Sequence, residues 1–301
     1  MALKTTVLFG NGVNLLKSNN SWDKILSEIS DSALPQIGNN TMKYEYIILP
    51  KEQYTPCELK TRNGMVLRCR DGKRLLTKEV TENVVKSELY DKLIDGDSWF
   101  YDELVNLNAD NYLTTNYEDY LNKKYAEREP KEGNLPYSEE RRLKAHDVVR
   151  HNGKDVTIWN IHGSLDKPKS ILLGMYEYSN YLAEIHKHLE NDSNFERNCW
   201  VNLFFKTNVH IIGFGFGYEE VDLWYILISR KRMMREGMSI NNKIYFYYIK
   251  DGSYDVGKQK LLEAAGVKVV EIEHDGSTDT YPKAYRQIIK EYNKLSEYEF
   301  Q

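Results

Sequence analysis

Six short runs of apolar, β-branched-rich sequence, at residues 5–9, 111–115, 157–161, 208–213, 243–249 and 267–272, constrain the fold of this chain most strongly. Runs of that length bounded by Gly, Asn and Asp suit strands of a parallel sheet covered on both faces. Helical patterns lie between several of them. Trp22, Ile25, Leu26 and Ile29 mark one face of a first helix. Val221, Trp224, Leu227 and Ile228 mark another, ending at Arg230-Lys231-Arg232, where cations complement a helix C-terminus. A helix over 258–265 stops at Gly266, and a closing helix repeats Ala284, Ile288, Tyr292 and Leu295 along one face. Strand alternating with helix predicts an α/β fold, a doubly wound, Rossmann-like, mostly parallel six-stranded sheet in a single domain over 1–301.

Two stretches break the alternation. Residues 32–85 hold the runs 44–49, 64–70 and 73–77, the last two separated by Asp71-Gly72, a strong hairpin signal. They read as a small β-rich or irregular cap inserted after the first strand–helix unit. Residues 128–154 are polar, carry Pro130, Gly133, Pro136 and Gly153, and read as a surface excursion with a short helix at 139–144.

Composition removes several classes of function. Lys and Arg number 41 against 45 Asp and Glu, a net charge of −4, which excludes a generally basic nucleic-acid coat; no direct nucleic-acid binding is expected. No apolar run approaches the roughly 18 residues of a membrane span. Val7-Leu8-Phe9 leads into Gly10-Asn11-Gly12 rather than into a secretory leader and its cleavage site. Cys57, Cys69 and Cys199 cannot build a disulfide framework, and no C-x-x-C supplies a zinc half-site. The expectation is a soluble, reduced, cytoplasmic protein without a metal. Tyrosine, at 23 residues, is in excess and predicts aromatic-lined surfaces.

Four strand-end loops carry the candidate chemistry. Gly10-Asn11-Gly12, followed by Val13 and Asn14, permits close backbone approach to a phosphate at a helix N-terminus, although Leu15 takes the third glycine's place in G-x-G-x-x-G. Thr114-Thr115-Asn116-Tyr117-Glu118 follows the second run, where the Asn116 amide can orient a water or a ribose hydroxyl without titrating; it could equally cap the next helix. Asn160-Ile161-His162-Gly163-Ser164-Leu165 offers His162 as a base or hydroxyl-binding group, while His186 and His188 look solvent-exposed. Gly213-Phe214-Gly215-Phe216-Gly217-Tyr218 leads to Asp222, which also suits the helix dipole as a plain structural residue. Converging on one sheet edge, these loops would form a nucleotide-sized cleft.

The ordered series Gly10-Asn11-Gly12, Thr114-Thr115-Asn116-Tyr117, Ile161-His162-Gly163-Ser164-Leu165 and Gly213-Phe214-Gly215 resembles the sirtuin-like domains of bacteria, especially anti-phage defence effectors that degrade NAD. Residues 171–178, Ile-Leu-Leu-Gly-Met-Tyr-Glu-Tyr, resemble the segment after the His-Gly motif in that branch. The resemblance implies Asn116 and His162 as a catalytic pair at the nicotinamide ribose. It implies nucleotide binding by Gly10, Asn11, Gly12, Asn14, Thr115, Gly213, Gly215, Phe216 and Asp222. The implied reaction is hydrolysis of NAD to nicotinamide and ADP-ribose, with NAD as substrate rather than resident cofactor.

Departures from the pattern are informative. Zinc-bearing deacylases of the family carry cysteines after the His-Gly motif, where this chain reads Asp166-Lys167-Pro168-Lys169-Ser170, so no zinc ribbon is expected. Glu118 stands where an Asp is usual, and Asn14 where a Ser is usual. A non-cleaving NAD or ADP-ribose sensor and a mono-ADP-ribosyltransferase are the rival readings. An NAD-destroying enzyme also implies a gate: the cap with its basic cluster Arg62, Arg68, Arg70, Lys73 and Arg74, homo-oligomerisation, or a separate sensor or activator protein.

Overall fold

The computed structural model describes residues 3–17, 24, 26–27, 34–48, 58–60, 66–68, 98–128, 136–137, 143–165, 167, 170–192, 194–252, 254–274 and 280–299. Ten strands lie among them: β1 (Thr5–Phe9), β2 (Glu58–Lys60), β3 (Val66–Arg68), β4 (Asn111–Thr114), β5 (Pro136–Tyr137), β6 (His146–His151), β7 (Lys154–Asn160), β8 (Asn208–Ile212), β9 (Ile244–Lys250) and β10 (Lys268–Glu273). β1 is buried along its whole length because both its faces meet apolar side chains. Side chains alternate across a strand, so Leu8 joins one core and Val7 and Phe9 the other. β9 does the same, with Ile244, Phe246 and Tyr248 on one face and Tyr245 and Tyr247 on the other.

The main sheet has eight strands in the order β10-β9-β8-β1-β4-β7-β6-β5. The six strands from β10 to β7 are mutually parallel and correspond to the six apolar runs. The expected count of six is corrected by an antiparallel edge: β6 pairs with β7, and β5 with β6. These edge strands lie in the stretch 128–154 that reads as a surface excursion. β6 is half-buried at His146, Asp147 and Val148 and exposed at Arg150, so its sequence is polar and lacks the apolar signal of a fully buried strand. Within the expected helix at 139–144, residues 143–144 form a turn and 138–142 lie outside the described residues.

Helices cover both faces. Helices Met175–Asn191, Trp200–Lys206, Val221–Arg235 and Val256–Ala264 contribute Tyr181, Trp200, Leu227 and Leu262 to one core. Helices Phe100–Asn106, Tyr120–Arg128 and Thr280–Glu299 contribute Leu104, Tyr125 and Ile288 to the other. Of the expected first helix, Leu26 is buried within helical residues, and Trp22, Ile25 and Ile29 lie outside the described residues. Arg230 does not serve the helix C-terminus; the helix continues to Arg235, and the buried guanidinium donates to Asn242 O at 2.6 Å.

The cap expectation is partly corrected. Residues 44–48 belong to the helix Asn40–Ile48 rather than a strand, and β3 pairs antiparallel with the upstream β2. The Asp71-Gly72 turn, the run 73–77 and the side chains of the basic cluster lie outside the described residues. The tyrosine excess is largely internal rather than a surface lining: Tyr101, Tyr112, Tyr125 and Tyr181 are among the largest fully buried side chains. Two of these hydroxyls answer backbone acceptors that would otherwise be buried unpaired: Tyr112 donates to Leu104 O, and Tyr181 donates to Ile161 O at 2.7 Å. His188 is also buried, 2.8 Å from Asn202 Oδ1, which corrects its expected exposure.

Candidate functional site

β1, β4, β7 and β8 run parallel and end level, with Phe9 beside Thr114 and Ile212, and Thr114 beside Asn160. The chain steps from β1 to β4 on one side and returns to β8 on the other, so the strand order reverses at β1, where ligand crevices form in open α/β sheets. The four loops leaving these ends are in contact. Gly12 N donates to Gly213 O at 2.9 Å. Asn14 Nδ2 donates to Glu118 Oε1 at 3.1 Å. His162 Nε2 lies 2.9 Å from Asp222 Oδ2.

Glycine is required where the first and last loops touch. A Cβ on Gly12 would stand 2.6 Å from Gly213 O, and Gly213 itself sits at φ +60. Gly10 is pressed by Phe214, whose Cδ2 would be 2.4 Å from an added Cβ. These glycines therefore serve loop-to-loop packing. Gly215 is different: nothing lies within 4 Å of its Cβ position, so its backbone borders open space. Instead of an α-helix, a short 3₁₀ turn, Asn11–Leu16, follows the first glycines. The Phe216 ring is fully buried in the apolar core, edge-on to Trp224, so no face of it is available to a ligand.

Asn116 is buried at the end of β4 and does not cap the next helix; its Nδ2 donates to Tyr101 OH at 3.4 Å. Tyr101 OH in turn contacts Glu118 Oε1 at 2.6 Å and Asn14 Oδ1 at 2.7 Å. Burial raises the Glu118 carboxyl above its ordinary value, against the pull of the hydrogen bonds from Tyr101 and Asn14. Asn11 Oδ1 accepts from Asn14 Nδ2 at 3.2 Å, which ties the first glycine loop to the same network.

His162 sits in the turn that follows β7, two residues past Asn160, where Gly163 at φ +99 lets the chain reverse beneath Ser170. Its Nε2 faces Asp222, and its Nδ1 lies 3.3 Å from Tyr178 OH. A carboxylate accepts, so Nε2 carries the proton shared with Asp222. Burial disfavours the charged imidazole, but the charge and hydrogen bond of Asp222 outweigh it and raise the His162 pKa. Tyr178 comes from the helix Met175–Asn191, so the segment 171–178 returns to the site as its third wall.

A cleft of about 60 Å³, room for roughly four waters, opens against His162, Thr115, Tyr117, Tyr178 and Glu220, with Asn40 and Thr41 over it. His162, Glu220 and Asp222 bring ligand-type atoms within 4.8 Å of one another. The 2.9 Å approach of His162 to Asp222 is a hydrogen bond, shorter than the roughly 3.3 Å between ligands of a tetrahedral zinc. Reading the motifs alone passes over Tyr101, Tyr178 and Glu220. Tyr178 closes the segment 171–178 and Glu220 lies between Tyr218 and Asp222, so proximity to those motifs is their available signal. Tyr101 lies in no motif, and only the fold brings it to Asn116.

A family model described as a SIR2-like domain matches residues 110–270, more than half of the chain. No curated protein matches the chain. Among solved structures, one described as the crystal structure of an SsGBP mutation variant is similar at 13% identity, covering 99% of this chain and 100% of its own, with a TM-score of 0.26, too loose to bear on fold or function.

Proposed function

This chain belongs to the SIR2-like domain family, and on that premise we propose that it is an NAD hydrolase, releasing nicotinamide and ADP-ribose. The observation that carries this reading is the meeting of His162, paired to Asp222, with Thr115 and the Asn116 loop at the strand edge where the Gly12 and Gly213 loops touch. Breaking the C1′–nitrogen bond sends its electron pair to nicotinamide, which leaves neutral, and the oxocarbenium-like ribose is captured by water. The protein's task is then orientation and exclusion of bulk water more than covalent chemistry. In this reading His162 and Asn116 hold the nicotinamide ribose, and the open backbone at Gly215 borders the phosphates. The lack of cysteine in residues 166–170 favours hydrolysis over zinc-dependent peptide deacylation.

Unrestrained NAD hydrolysis would harm the cell that makes the enzyme, so the reading includes restraint. Asn116 and His162 are each only 3% exposed, which supports a resting state that opens on a signal. The anti-phage, abortive-infection role belongs to this proposal, with a separate sensor or activator protein or homo-oligomerisation as the trigger and the cytoplasm as its place. Among the described residues no helix is long and apolar enough to cross a membrane.

Incubation with NAD while following nicotinamide and free ADP-ribose tests the proposal. Equimolar appearance of both supports hydrolysis. Label from NAD on a macromolecule points to ADP-ribosyl transfer, and tight binding without product points to a sensor.

A further inference from the structure

Cleavage of NAD as proposed above, the reading on which this inference rests, requires one group to accept the proton of the attacking water. General-base assistance of that kind contributes about 10²–10⁴-fold to a reaction of water. His162 is poorly placed for it, because both ring nitrogens already face protein groups, Nε2 to Asp222 at 2.9 Å and Nδ1 to Tyr178 OH at 3.3 Å. The Asn116 amide does not titrate. Asp222 is fully buried behind His162 and does not line the cleft. Glu219 does line it, but its carboxyl folds back over Gly217, with Cδ 2.4 Å from where a Cβ on that glycine would stand.

Glu220 differs on each of these counts. It lines the cleft beside His162, Thr115 and Tyr178. Its backbone is fixed at the start of the helix Val221–Arg235, with its N–H donating to Gly217 O at 3.2 Å and its O accepting from Trp224 N at 3.0 Å. Its Oε2 is buried and accepts no hydrogen bond from the described residues, an arrangement that stores an unsatisfied acceptor at the wall of the site. It lies within 4.8 Å of the ligand-type atoms of His162 and Asp222.

We propose that Glu220 is the general base of NAD hydrolysis, taking the proton from the water that attacks the ribose C1′. The C1′–nitrogen bond breaks first, nicotinamide departing neutral with the electron pair, and the C1′–oxygen bond then forms as water attacks the oxocarbenium-like ribose. The water proton passes to Glu220 Oε2 and from there to solvent after the products leave, so each turnover releases one proton. Burial pushes the Glu220 carboxyl up to about 7, helped by Asp222 and opposed by His162, which suits a group that takes and returns a proton near neutrality.

The test separates water attack from bond cleavage. Wild-type protein, Glu220→Gln and Glu220→Asp are given NAD together with labelled nicotinamide, and two products are followed: ADP-ribose from hydrolysis and labelled NAD from exchange. Exchange breaks and remakes the same bond with no water to deprotonate. The expected result for Glu220→Gln is a loss of hydrolysis of about 100-fold or more with exchange held within about threefold, and for Glu220→Asp a partial return of hydrolysis. Unchanged hydrolysis in Glu220→Gln, or exchange falling in step with hydrolysis, would overturn the assignment. Absence of both products from the wild type, alone and with candidate activators, would instead overturn the NAD-cleaving reading beneath it.

Discussion

Asn14 donates a hydrogen bond to Glu118 at 3.1 Å, so the two positions at which this chain departs from the sirtuin-like pattern touch each other. They share a third partner, the Tyr101 hydroxyl, which also meets Asn116. Two substitutions that look independent along the sequence are one buried arrangement. It fixes the Asn116 side chain from behind, leaving the Thr115 and His162 side facing the cleft.

Removing one member should therefore cost the other a buried hydrogen bond while its contact with Tyr101 remains. Asn14→Ala and Glu118→Ala are each expected to cost about 1–3 kcal/mol, the effect of a lost buried hydrogen bond. The double variant is expected to lose less than the sum, with a coupling of about 0.5–3 kcal/mol in urea unfolding. Additive losses would show that the two residues act separately.

Asp222→Asn tests the imidazole pair. Asp222 holds His162 Nε2 at 2.9 Å and determines which ring nitrogen carries the proton. The amide is expected to lower kcat for nicotinamide release by about 100-fold or more while KM for NAD moves little, as when a histidine loses its orienting carboxylate. An unchanged kcat, or a loss confined to KM, would remove Asp222 from the chemistry.

Much of the architecture is legible in the sequence, for a physical reason. The central strands β1, β4 and β8 and most of β9 are buried on both faces, so each reads as a near-continuous apolar run, and the Tyr-rich stretch at β9 is core. The antiparallel edge is not legible, because β6 is only partly buried and its polar residues resemble a loop. Residues 44–48 are rich in Tyr and Ile, which favour strands, yet they form a helix packed against the helix Met175–Asn191. Asn116 and His162 are visible because each ends a strand in a distinctive local string. Tyr101 reaches the same site only through long-range packing, which no local string records.

Gly163→Ala should be costly for two reasons that act together. The position has φ +99, and an added Cβ would stand 2.4 Å from Ser170 O. A loss of about 1–3 kcal/mol is expected, or roughly 2–4 °C of Tm per kcal/mol for a chain of this size. Gly215→Ala is the control: with nothing within 4 Å of its Cβ, it should leave Tm unchanged and act on NAD affinity instead. Equal Tm values for the two variants would contradict this reading of the loops.

Stability should fall on mild acidification through His210. Burial in the central strand β8 depresses its pKa to about 3. The unfolded chain takes up a proton near pH 6.5, whereas the folded chain does not until about pH 3. Stabilisation from the neutral ring is therefore complete above about pH 6.5 and declines by about 1.4 kcal/mol per pH unit as pH falls toward the folded value. Urea unfolding of the wild type and His210→Gln between those limits should show a shallower pH slope in the variant. Identical slopes would exclude His210 as the source.

Nicotinamide release from NAD by the wild type, Asn116→Ala and His162→Ala, each confirmed as folded by its thermal transition and tested alone and with candidate activators, bears most directly on the function. The expected result is release with matching free ADP-ribose from the wild type under an activating condition and none from either variant. Release at the wild-type rate by both folded variants would contradict it.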